Sequence, residues 1–270
     1  MPTHRSRINS RDPSGMRRVE ERTVQSTMDT VSSAITAAAQ EATTGSKTKA
    51  EIQAIVTKHT DALTKRLSDD GQTWIKETAG AAVVRSRNLI KSTDASAGIN
   101  LGPVGVSKEI LDRETAEIGK YITDLTDEMQ RTIIDTITKG DDEGLSADDI
   151  VNNVVKATGK TRNDADLLVR TSIMKTFNDT AADDYKKAGA VGYSLFPASD
   201  SRVCEKCRQV AFGNGNVTKG AVVNYKEPPV CPVHPRCRCT ILPVFNMQDK
   251  AVVYEMHNPD MVVYYMKARI

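Results

Sequence analysis

All five cysteines of this chain fall in one stretch. It opens Asp200-Ser201-Arg202-Val203-Cys204-Glu205-Lys206-Cys207 and closes His234-Pro235-Arg236-Cys237-Arg238-Cys239, with Cys231 between the two. Four thiolate or imidazole donors are what a tetrahedral Zn2+ takes. The two-residue spacing lets one tight turn aim Cys204 and Cys207 at a single point. In an extended run Cys237 and Cys239 share one face and Arg238 takes the other. Pro235 biases His234 toward extended backbone. With Cys231 set aside, five donors compete for four places. The favoured set is Cys204, Cys207, His234 and Cys239; Cys204, Cys207, Cys237 and Cys239 is the alternative. The competing reading is a small core of reduced thiols with His234 hydrogen-bonded.

A closed four-ligand site leaves no position for a reacting water, so the centre reads as structural and not hydrolytic. The long gap from Cys207 to His234 departs from the two-Cys, two-His finger that reads DNA. A redox CxxC needs a thioredoxin-like βαβ frame, whereas a helix precedes this motif and loops follow it. An odd number of clustered cysteines argues against a disulfide framework. No nucleophile–base–acid set is visible, so no enzyme activity is expected. Asp200 and Arg202 are expected to pair across the knuckle and set its turn. Arg170, near the apolar face of its helix, is expected to be buried and paired, with Asp200 one partner in reach. Asp183-Asp184 and Asp141-Asp142-Glu143 read as solvated surface. Gly213-Asn214-Gly215 is too short for a phosphate loop and reads as a turn.

The elements that must position these groups are mostly helices. Residues 1–16 read as a flexible arm, basic through Arg5, Arg7 and Arg11. Residues 17–100 read as an extended helical region. Val24, Met28, Val31, Ile35 and Ala38 recur at helical spacing. From 49 to 92 the pattern predicts one long helix or two, with a possible break at Asp69-Asp70-Gly71. Residues 93–106 read as a linker. Residues 105–189 hold three further helices. In the first, Ile118, Tyr121, Ile122, Leu125, Met129, Ile133 and Ile137 share a face. Ser107 is its expected N-cap and Gly140 its C′ residue. Ser146 with Asp149 resembles a capping box for the second. Gly189 closes the third. Residues 190–245 form a small β/zinc-knuckle module, with strands at 191–195 and 237–243. The tail, 246–270, is apolar enough for β addition or partner docking. The fold class is therefore mostly α, with long helices and a small C-terminal α+β module stapled by zinc.

Composition bounds the function. Aromatic residues make up 4% of 270 residues, with one Trp, so much of the chain is thinly cored and suited to burial by partners. The net charge of +2 gives no argument for nucleic acid or membrane. No apolar run of about 18 residues is present, so no membrane span is expected, and residues 1–30 lack a secretory h-region.

At the cysteine stretch the chain resembles the phage Mu protein F-like family of minor head proteins, also called phage head morphogenesis proteins. The resemblance rests on Arg170-Thr171-Ser172, Asn178, Tyr185 and Gly189, then the Asp200–Cys207 knuckle, then His234–Cys239 followed by Thr240-Ile241-Leu242-Pro243. It covers roughly 105–245. Ser172 stands where the family usually has Glu, and Leu195 where its strand often has Trp. The resemblance implies a low-copy virion component near the head–portal region, present in host cytoplasm during assembly. Its implied partners are portal and capsid proteins and packaged DNA, with no small-molecule substrate. The other reading is a zinc-stabilised nucleic-acid-binding protein, with the N-terminal arginines and Lys206, Arg208, Arg236 and Arg238 on phosphates. Some relatives carry an enzyme domain after this module; the residues after Phe245 are too few for one.

Overall fold

The computed structural model describes residues 4–9, 12, 14–91, 105–198, 203–213, 223–245, 250–257 and 260–266, with the strands in 4–9, 250–257 and 260–266 described by backbone pairing. Asp200, Arg202 and most of the 93–106 linker lie outside the described residues. The element order is β1 (His4–Asn9), α1 (Arg17–Thr43), α2 (Lys49–Lys91), α3 (Lys108–Asp142), α4 (Ala147–Ala157), α5 (Gly159–Lys187), β2 (Gly192–Phe196), α6 (Glu205–Phe212), β3 (Asn224–Tyr225), β4 (Thr240–Val244), β5 (Lys250–His257) and β6 (Asp260–Met266). The fold is mostly α, with long helices and small antiparallel sheets.

The chain divides into two compact units that do not follow the sequential segments read from the sequence. One comprises Met1–Val19, Ile75–Asp112 and Thr171–Ile270; the other, the helical unit, comprises Glu20–Trp74 and Arg113–Arg170. Helices α2, α3 and α5 each contribute a stretch to both. Which stripes face one another is a non-local property, so chain breaks do not mark it.

In the helical unit α2 starts at a reciprocal capping box. Glu51 Oε2 accepts from the Thr48 N–H at 2.8 Å, and Thr48 Oγ1 accepts from the Glu51 N–H at 3.3 Å. The helix runs unbroken through Asp69-Asp70-Gly71. A Cβ at Gly71 would meet Ile118 and Ile122 of α3 at 3.6 Å, ordinary contact, so the glycine is a packing position and not a break. As α2 advances from Thr57 through Thr64 to Gly71, its α3 partners recede from Gln130 through Thr126 to Ile122 and Ile118, which makes the pair antiparallel. Ile52, Val56, Leu63 and Leu67 of α2 are buried, as are Ile118, Ile122, Met129, Ile133 and Ile137 of α3. Tyr121, assigned to that face from spacing, is 59% exposed. On α1 Val31, Ile35 and Ala38 are buried as their spacing indicated, together with Glu20, Thr27 and Thr30, whereas Val24 and Met28 are half-buried.

Helix α3 ends later than expected. Gly140 lies inside it, where any Cβ would stand 2.6 Å from Ile150 of α4. Gly144, at φ 68°, takes the C′ position. Its N–H donates to Asp141 O and the Leu145 N–H to Gly140 O, a Schellman motif. Gly189 closes α5 in the same way, as expected from the sequence: its N–H donates to Lys186 O, and the Ala190 N–H to Tyr185 O. Ser146 caps α4 by accepting from the Asp149 N–H.

The other unit holds two three-stranded sheets, ordered β3-β2-β4 and β1-β6-β5, all antiparallel. β2 and β4 pair from Gly192↔Val244 to Phe196↔Thr240, and every residue of both strands is buried. β1 corrects the arm reading: His4–Asn9 pair with Tyr265–Asp260 of β6. Ladder bonds use the backbone, so a polar segment without apolar alternation can still join an edge. Asp184 corrects the surface reading. It is buried, accepts from Ser86 Oγ at 2.5 Å and pairs with Arg87 at 3.4 Å, both on α2. Asp183 is the solvated neighbour and pairs with Lys187.

Candidate metal centre

The CxxC knuckle is the N-terminus of α6. Cys204 is the N-cap, and its Sγ accepts from the Cys207 N–H at 3.5 Å. Helix geometry thus delivers both sulfurs to one end, where the dipole favours negative charge. A turn followed by loops was read from the sequence; eight polar-flanked residues are too short for a periodic signal. Gly213, at φ 78°, ends the helix.

The second half of the centre is a four-residue turn. The Cys237 N–H donates to His234 O at 3.1 Å across Pro235 and Arg236. Arg236 has φ 60°, a left-handed conformation that costs a non-glycine residue about 1 kcal/mol. Its N–H is held by Thr171 Oγ1 of α5 at 3.4 Å. His234 Nδ1 donates to Pro235 O at 2.7 Å, which leaves Nε2 as the lone-pair nitrogen. That Nε2 lies 3.2 Å from Cys207 Sγ.

Asn178 on α5 locks this segment to the helix, a role that spacing did not reveal. Its Nδ2 donates to Cys239 O at 3.2 Å, and its Oδ1 accepts from the Ile241 N–H at 3.0 Å. The amide acts as a surrogate strand partner for β4. Cys231 also donates to Cys239 O, at 3.2 Å. Cys231 is therefore in the cluster as a thiol donor, where the sequence had set it aside.

The donors converge. Ligand atoms of Cys204, Cys207 and His234 lie within 4.8 Å of one another, and so do those of Cys207, Cys237 and Cys239. Cys207, Cys237 and Cys239 are buried; Cys204 and His234 are half-buried. Cys207 Sγ is 3.7 Å from Cys237 Sγ, close to the ~3.8 Å edge of a tetrahedral thiolate site with metal–sulfur bonds of about 2.3 Å. The five residues form a candidate metal-binding site that includes every ligand assigned from the sequence. Cys237 stands in it on equal terms with Cys239.

Without an ion the thiols share protons. Hydrogen bonds from Cys207, Cys231 and Cys239 hold the Cys237 thiol far below its ordinary range. Hydrogen bonding to Cys237 and Cys239, then burial, pushes Cys207 far up. For Cys239 the Cys207 hydrogen bond pulls down, but bonding to Cys237, burial and neighbouring charge prevail and the thiol goes up. Bonding to Cys237 and burial likewise raise Cys231. Buried thiols that compete for protons in this way form a cluster in which a cation can replace them.

Arg170 is half-buried, not buried as expected; it pairs with Asp166 at 2.8 Å and Glu20 at 3.9 Å, both in the helical unit. Arg236 and Arg238 both make interactions within the chain, so neither is reserved for a phosphate. No helix among the described residues is long and apolar enough to cross a membrane. Comparison with family models, curated proteins and solved structures finds no match.

Proposed function

We propose that this chain is a minor head morphogenesis protein of a tailed bacteriophage: a low-copy virion component that joins the portal and acts in head assembly or DNA delivery. Its cysteine module is stapled by a structural Zn2+. The observation that carries the reading is the Asn178 clamp. It ties the α5 helix to the His234–Cys239 close, so motif pieces distant in sequence form one unit in the order on which the resemblance rests. The chemistry of the donors agrees with zinc: thiolates and one imidazole, mostly buried, suit a soft closed site. Burial of Cys207, Cys237 and Cys239 favours a staple over a catalyst.

Co-expression with a portal protein tests the reading. Stable co-purification with portal rings, and density for the chain in assembled particles, are the expected results. Failure to associate with portal or head, together with DNA binding that weakens steeply with salt, overturns it in favour of a nucleic-acid-binding protein.

A further inference from the structure

The cysteine centre holds more donors than one tetrahedral ion can use. A single ion with metal–sulfur bonds of about 2.3 Å needs every pair of its donors within about 4 Å. Among the described residues the donors close into two triangles, and no four of them lie mutually within 4.8 Å. The triangles share one corner, Cys207. Its sulfur has His234 Nε2 at 3.2 Å and Cys237 Sγ at 3.7 Å. A thiolate keeps lone pairs enough to bind two soft cations at once, and a shared sulfur is how thiolate-rich sites hold more than one ion.

We propose that the centre binds two divalent cations of the zinc type bridged by the Cys207 thiolate, one held by Cys204, Cys207 and His234, the other by Cys207, Cys237 and Cys239. This rests on the metal-stapled reading above and deepens it. Charge supports the pair. Four ligand thiolates and a neutral imidazole balance two divalent ions, so the buried cluster carries no net charge, which avoids the cost of burying an unbalanced ion. The two places differ. The Cys204–His234 side is half-buried, so water can complete that ion. The Cys237–Cys239 side is buried, and Cys231, donating to Cys239 O, is the remaining thiol beside it.

Zinc titration of the full apo chain under reducing, oxygen-free conditions, read by native mass spectrometry, tests the pair. Saturation at two ions per chain is expected. Cys204→Ser and Cys237→Ser should each keep one ion, and Cys207→Ser should lose both. Cadmium NMR of the unmutated chain needs no variant to fold: it should give two resonances coupled through the shared sulfur. Two uncoupled resonances overturn the bridge. Saturation at one ion, abolished equally by Cys204→Ser and Cys237→Ser, overturns the pair and leaves a one-ion staple standing. No bound zinc overturns both the pair and the staple.

Discussion

Between α2 and α3, polar side chains close on one another. Gln130 Nε2 donates to Thr57 Oγ1 and Gln130 Oε1 accepts from Thr60, while Thr64 and Thr126 bond at 2.8 Å. Asp184 closes likewise on Ser86 and Arg87. In the cysteine module the polar atoms crowd into two donor triangles instead of pairing off. Cys207 is the corner that faces His234, Cys237 and Cys239. The difference shows which polar groups satisfy one another and which form a candidate ion site. Neutral hydroxyls and amides satisfy each other pairwise, whereas buried sulfurs are weak hydrogen-bond partners that a soft cation binds better.

Removing the metal should separate the two regions most sharply. Chelation of the full chain is expected to expose residues 192–244 to protease while helix content falls little; equal loss of both would erase the contrast. Acidification should act in the same direction. Cys207 and Cys239 hold their protons above the usual thiol range, so a cation must displace them. Affinity therefore rises with pH and falls as pH drops, with protons released on binding; calorimetry in buffers of different ionisation enthalpy reads this directly.

Asp184→Ala should be the costliest break between helices, at roughly 3–5 kcal/mol, because Arg87 is left charged and buried. Urea denaturation measures it, and zinc stoichiometry should not change. Asn178→Ala sits on the boundary of the comparison. It strands the buried Ile241 N–H and weakens the hold on Cys239 O, for about 2 kcal/mol, and it should also lower metal affinity. Stability loss with unchanged affinity would show that Asn178 serves the strand alone. The smallest effect is expected at the Thr64–Thr126 pair. Either single change to Val should cost about 0.5 kcal/mol, because the remaining hydroxyl still donates to a carbonyl one turn back, Thr60 O or Ile122 O, and the double change should cost less than the sum. Additive losses in that double-mutant cycle would mean the pair does not act as a unit.

Much of the fold was legible because helical periodicity is local. Ile118 to Ile137, Ser146 and Gly189 announced their stripe, cap and stop within a few residues of themselves. The misreadings share a cause. Tyr121 continues an apolar stripe yet is exposed, since the width of a stripe depends on the neighbour it meets. Asp184 reads as a surface acid until Ser86 and Arg87 are brought to it. β1 carries no strand pattern, and its partner lies at the opposite end of the chain.

Chain order and residue type by themselves marked Cys204, Cys207, His234, Cys237 and Cys239 as candidates for one centre of soft donors, and long helices as what precedes it. Two-residue spacings and helical repeats are set by backbone geometry within a turn or two. Only the tertiary structure decided that Cys204 caps a helix, that Asn178 holds Cys239 and Ile241, and that Cys207 is the corner of two donor triangles. Those facts depend on segments far apart in the chain meeting at bond distance, and the packing of α5 against the strands sets that distance.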